Sequence, residues 1–240
     1  NTYSFVQFRN RQPVYVCLST LDEIASYYGN QLWALPYLVK GSLKPTGMWE
    51  AFSGNAALPN PTDLNLQTNG IAPSRVFIGN SGYVSGHANN VAWRMAGDGF
   101  LAANAGLGMA KEAEIYAWDV SNYLSELATY AGALLVSNHS YAEIRGWTSP
   151  ISITLGAVTK SINWWSETNV SKTEDYGFGF YTDDDQAMDN ICYLAPYHSI
   201  VKAAGNDRGS NGSVPVTTFY TTDGITYTFE PSYNTPVPEV

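Results

Sequence analysis

The chain has 240 residues, of which 45% are apolar and only 14% charged, with a formal net charge of −9. That length suits one large domain or two small ones and can bury a sizeable core. The acidic balance argues against nucleic acid and anionic membrane surfaces as partners, because both need a basic face, and no apolar run approaches the roughly 18 residues of a membrane span.

Residues 3–8 and 13–18 alternate apolar and polar and predict strands. Ser19 or Thr20 caps a predicted helix with Asp22 and Glu23 in its first turn and Gly29 at its close. Residues 41–82 are rich in Gly, Pro and Asn. They read as a long irregular region, with short strands at most around Met48–Trp49 and Val76–Ile78, and such regions are often functional. A helix is predicted from Gly86, with Val91 and Met95 on the face of His87. Glu114–Val120 reads as a buried strand. Ser121 caps the next helix, in which Tyr123, Leu127 and Tyr130 fall at helical spacing. Ala133–Ser137 is again a strand. Residues 146–181 read as a Trp- and Gly-rich loop. Asp183, Asp184 and Asp185 favour the start of a helix over 182–195. Ile200–Ala204 is a further buried strand. After Gly209 two alternating strands flank Asp223-Gly224, a hairpin signal.

Helices and continuous apolar strands thus alternate through the middle of the chain. This pattern predicts an α/β fold, a parallel sheet flanked by helices, with its site at the carboxyl ends of the strands. An N-terminal β/α extension occupies 1–40, the α/β domain 41–210, and a C-terminal β-hairpin with an extended tail 211–240.

Cys17 and Cys192 are the only cysteines. They match no metal motif, and they are enough either for one disulfide in an oxidising compartment or for two free thiols. Asn-x-Ser sequons occur at Asn138, Asn169 and Asn211. A start at Asn1 without Met fits a processed product, and with the scarce charge it predicts a secreted, extracellular protein. The Asp183–Asp185 run offers hard oxygen ligands for Ca²⁺. It lacks a full ligand spacing, so a solvated helix start is the simpler reading and no cofactor is expected. Trp164-Trp165 suits a sugar or peptide platform, or a packed interior. His139 reads as a packed structural histidine after a buried strand, and His198 as facing a loop.

Four segments occur in order: HANNVAW, GLGMAKEAEIYAWDV, LLVSNHSYA and IVKAAGNDRG. Together they resemble the subtilisin-like serine peptidases, most closely the secreted subtilases of Bacteroidetes-type bacteria. The likeness covers residues 85–210 and is weaker before them, where QPVYV, NQLW and GMWE are similar to the same group. It implies a subtilase-like sheet, with His87 at the position of the general base. Asn206 falls at the oxyanion-hole asparagine, Glu50 at the orienting carboxylate, and Ser140-Tyr141-Ala142 at the backbone strand that holds a peptide substrate. Asp63 is a second carboxylate to consider for the orienting role.

The sequence also departs from that family. Glu50 stands where the family has Asp, and Asn90 where it usually has a second histidine. Trp93 and Arg94 replace small residues, and a bulky group there is expected to crowd the helix against the sheet. Ala142 replaces a glycine whose missing side chain lets substrate backbone approach. No G-T-S-x-A-x-P nucleophile motif occurs. Ser42, Ser210 and Ser213 lie beside glycines but open no apolar helix. Two functions follow. One is a subtilase-derived pseudoenzyme, inactive alone, that binds copies of itself, other extracellular proteins or glycans. The other is a fragment of an active secreted serine endopeptidase acting on peptide or protein substrates, with its serine on another segment or chain.

Overall fold

The computed structural model describes residues 3–9, 12–17, 24, 29–52, 55–102, 105–142, 146–155, 158–165, 177–205, 218–220 and 226–228. Five strands form a parallel sheet: β1 (Pro45–Phe52), β2 (Val76–Ile78), β3 (Glu114–Asp119), β4 (Val136–Ser140) and β5 (Ser199–Lys202). Their order across the sheet is β2-β3-β1-β4-β5. The chain is therefore of the α/β class. Residues Asn55–Leu58 fold back antiparallel on the end of β1 and pair in parallel with Tyr83–Val84.

The region that read as irregular, 41–82, supplies the central strand. PTGMWEAF opens on Pro45 and Gly47 and its two apolar pairs are split by Glu50, which hid it, and β1 acquires its status by pairing on both sides. The strand expected at Ala133–Ser137 lies further on, because Ala133 and Leu134 still donate to the Tyr130 carbonyl in the turn that ends the preceding helix. Strand β4 instead runs through the polar VSNHS. Strand β5 is an edge and mostly exposed, not buried.

Three helices flank the sheet: α1 (Gly86–Ala96), α2 (Tyr123–Tyr130) and α3 (Asp183–Leu194). Ser85 caps α1 through its hydroxyl, which accepts from Ala88 N–H at 3.0 Å. Its fully buried stripe is Ala88, Ala92 and Ala96, and Val91 and Met95 flank it. These small side chains pack on Met48, Ala57, Leu58, Val76 and Ile115. The opposite core holds Trp49, Trp118, Leu127, Ala131, Leu134 and Ile191, with Trp49 and Trp118 stacked 4.6 Å apart. Helix α2 is entered through a 3₁₀ turn whose cap is Asp119, not Ser121. Gly79 crosses Trp118 so closely that a Cβ would stand 1.9 Å from the indole nitrogen.

Contacts divide the chain into two units, one of residues 1–141 and 187–202, the other of 142–186 and 203–240. The first unit holds the parallel sheet and, with it, the N-terminal hairpin Tyr3–Arg9 and Gln12–Cys17. Ile24 is helical and buried, and Gly29 opens a short helical turn, Gly29–Leu32, rather than closing a helix. The second unit corrects the loop expected at 146–181. Gly146–Leu155 and Val158–Trp165 form an antiparallel hairpin whose register pairs Ile151 with Ile162 and Leu155 with Val158. Its alternation, ISITL against VTKSINWW, is the period-two signal of a strand pair. The hairpin expected around Asp223-Gly224 is present as Thr218–Tyr220 paired with Thr226–Thr228.

Candidate active site

Parallel pairing fixes which side chains share the carboxyl edge of the sheet. Glu50 at the end of β1 is in register with Asp119 at the end of β3 and with Ser140 at the end of β4. Glu50 is fully buried. Helix α1 packs on the same face and brings His87, in its first turn, to the carboxylate. His87 Nδ1 lies 3.0 Å from Glu50 Oε2, at ion-pair distance but without the alignment of a directed hydrogen bond. The Nδ1 atom is buried, while the His87 side chain as a whole is 35% exposed.

The other Glu50 oxygen is held by β4. Asn138 Nδ2 donates to Glu50 Oε1 at 3.2 Å and to Ser140 Oγ at 2.7 Å, and the Ser140 side chain bonds to Glu50 as well. Burial pushes the Glu50 carboxyl up to about 8, against the bonds from Ser140 and Asn138, which lower it. A carboxyl titrating near neutrality beside an imidazole is the kind of pair that acid–base chemistry uses.

The opposite face of β4 carries a second polar set. Ser137 Oγ lies 2.8 Å from Nε2 of both His139 and His198, His139 Nδ1 is 3.0 Å from Tyr141 Oη, and His198 Nδ1 is 3.0 Å from the Leu134 carbonyl. With neutral rings the directions follow from the ends inward. A carbonyl only accepts, so His198 Nδ1 carries its proton and Nε2 accepts from Ser137. Ser137 then accepts from His139 Nε2–H, and Tyr141 donates to His139 Nδ1. Burial, with the nearby Lys202 ammonium and the neighbouring His198 ring, pushes His139 down to about 3, which keeps it neutral. His198 is thus buried and bonded, and does not face a loop. His139 lies within the strand, stacked on Trp49 at 5.1 Å.

The other candidates fall out as follows. Asp63 is committed elsewhere: it caps the turn at Leu64–Leu66 and accepts from Trp93 Nε1 at 3.1 Å. Trp93 packs against the core between α1 and the sheet, with its ring over Gly106, where a Cβ would come within 3.2 Å. Tyr141 is half-buried under the Lys202 ammonium, 3.5 Å from its ring centroid, and Ala142 is exposed. The last β4–β5 pair is His139 with Lys202, so Ser140 lies past that ladder. Asn206, Ser210 and Ser213 lie outside the described residues. Ser42 bonds to Glu112. Cys192 is an exposed free thiol, so the disulfide with Cys17 is not formed.

Asp183–Asp185 do open helix α3, with Thr182 and Asp185 capping each other. Among the described residues no group of three His, Cys, Asp or Glu could hold a metal ion, and no helix is long and apolar enough to cross a membrane. Sequence reasoning missed Asn138, which read only as a sequon. Its amide is committed to Glu50 and Ser140. Period-two alternation along VSNHS would have put Asn138 and Ser140 on one face, had the strand been placed at 136–140.

Comparison with known proteins finds no matching family, no matching curated relative and no matching solved structure.

Proposed function

We propose that this chain carries the general-base half of a subtilisin-like serine endopeptidase site, with His87 as base and Glu50 as the carboxylate that orients it. The contact between Glu50 Oε2 and His87 Nδ1 carries the reading. These two residues were singled out by motif resemblance alone, and they meet at the carboxyl edge of a parallel sheet. The reaction is acyl transfer. An ionised Glu50 keeps the proton on Nδ1, which leaves Nε2 able to take the proton of an attacking hydroxyl and return it to the leaving amine. Ser140-Tyr141-Ala142 would hold the peptide by backbone pairing, a role supported by the end of the β4–β5 ladder at His139. Asn206 keeps its oxyanion role by resemblance only. The serine comes from outside these 240 residues, and a secreted setting fits the sparse charge.

A second reading is an extracellular pseudoenzyme that uses the fold to bind copies of itself, other proteins or glycans. The absence of a G-T-S-x-A-x-P segment from the sequence favours it. Labelling the native protein with a fluorophosphonate, together with its intact mass, separates the two. The first reading expects a labelled serine outside these residues, with labelling abolished by His87→Ala. A native mass near 26.2 kDa with no label overturns it in favour of the second.

A further inference from the structure

We propose that Asn138 is a positioning residue: with its two amide protons it holds Glu50 Oε1 and Ser140 Oγ, and so fixes which ring nitrogen of His87 carries the proton. The function of that tautomer rests on the peptidase reading above. The geometry does not.

The Asn138 Nδ2 group has two protons and two acceptors, Glu50 Oε1 at 3.2 Å and Ser140 Oγ at 2.7 Å. A hydroxyl that accepts from Asn138 has its single proton left to give, and its bond to Glu50 uses it. Two donors from one strand thus converge on one carboxyl group, and the remaining oxygen, Oε2, is left to His87 Nδ1. Donors aimed at a carboxyl favour its ionised form.

The ionisation state decides the imidazole. Beside an ionised Glu50, Nδ1 keeps its proton and Nε2 presents a lone pair. Beside a protonated Glu50, Nδ1 accepts and Nε2 carries the proton, so the ring cannot act as a base. The titratable groups next to Glu50 are His87 from α1 and Asp119 from β3. The Asp119 carboxylate is engaged by Ser121 N–H at 2.6 Å. Strand β4 presents only Asn138 and Ser140 on this face, and His139 lies on the other.

The test is the ¹⁵N spectrum of the three histidine rings against pH, with His87 assigned by its loss in His87→Ala. The wild-type Nε2 signal should pass from pyrrole-like to pyridine-like as Glu50 ionises. Asn138→Leu should move that midpoint upward by about one pH unit or more, because it deletes one donor and releases the other. Ser140→Ala should move it upward by less. Melting curves establish that each variant is folded, and if Asn138→Leu does not fold, Ser140→Ala carries the test alone. A midpoint unmoved in a folded variant, or a wild-type His87 with no tautomer change, overturns the proposal. The readout needs no nucleophile. A protein that takes no fluorophosphonate label but shows the shift loses the peptidase reading and keeps this one.

Discussion

Ser137 and His198 meet 2.8 Å apart under the sheet, although they come from different strands' surroundings: Ser137 lies in β4 and His198 just ahead of β5. That contact makes Ser137 the middle of a closed chain running from Tyr141 to the Leu134 carbonyl. Ser137→Ala removes both an acceptor and a donor from a fully buried position, leaving His139 Nε2–H and the His198 Nε2 lone pair without partners. Each such orphan costs about 1–3 kcal/mol, so the variant should lose roughly 2–4 kcal/mol in urea unfolding. A loss below about 0.5 kcal/mol would mean that water or another group replaces the hydroxyl.

The stability of the chain should depend on pH through two groups shifted in opposite directions. Glu50 is raised from 4.5 to about 8. Between those values the unfolded chain has released a proton that the folded chain keeps, so stability falls as pH rises. His139 is lowered from 6.5 to about 3. Between those values the unfolded chain holds a proton that the folded chain excludes, so stability rises with pH. From these two groups the profile climbs between pH 3 and 4.5, is level to 6.5 and declines to 8. Glu50→Gln should abolish the decline. Melting temperatures of wild type and variant that stay parallel from pH 6.5 to 8 would refute the shift at Glu50.

If the peptidase reading holds, the rate should rise with pH around a midpoint near 8, where Glu50 ionises and His87 Nε2 is left with a lone pair. Glu50→Gln should lower kcat by about 10²–10⁴-fold, because an amide can no longer select the Nδ1–H tautomer. Glu50→Asp should also lose activity, since one methylene less opens the 3.0 Å contact with His87. A kcat unchanged in Glu50→Asp would show that the longer side chain is not what spans the gap.

Gly79→Ala should be destabilising with no change in charge or polarity. The new Cβ would meet Trp118 Nε1 at 1.9 Å, and Trp118 is stacked on Trp49, so neither ring can yield alone. Overpacking of this kind costs about 1–3 kcal/mol. Chemical denaturation with tryptophan fluorescence reads both the loss and any displacement of the ring.

Cys192 should react with a maleimide or a chromogenic disulfide reagent in the native state, because its thiol is exposed and free. An intact mass showing no addition without reductant, and an addition after it, would instead mean a disulfide.

The sequence by itself determined the start of α1 near Gly86, the strand β3 followed by helix α2, and the start of α3 at the aspartates. These are local matters, settled by periodicity and by side chains that bond to neighbouring backbone. It also named Glu50 and His87, whose motif neighbours are contiguous in the chain. Only the tertiary structure decided that PTGMWEAF is the central strand, that VSNHS rather than ALLVS pairs with it, and that Asn138 faces Glu50. Those outcomes depend on register between strands far apart in sequence. A polar strand is recognisable only once partners on both sides satisfy its backbone and its side chains find one another.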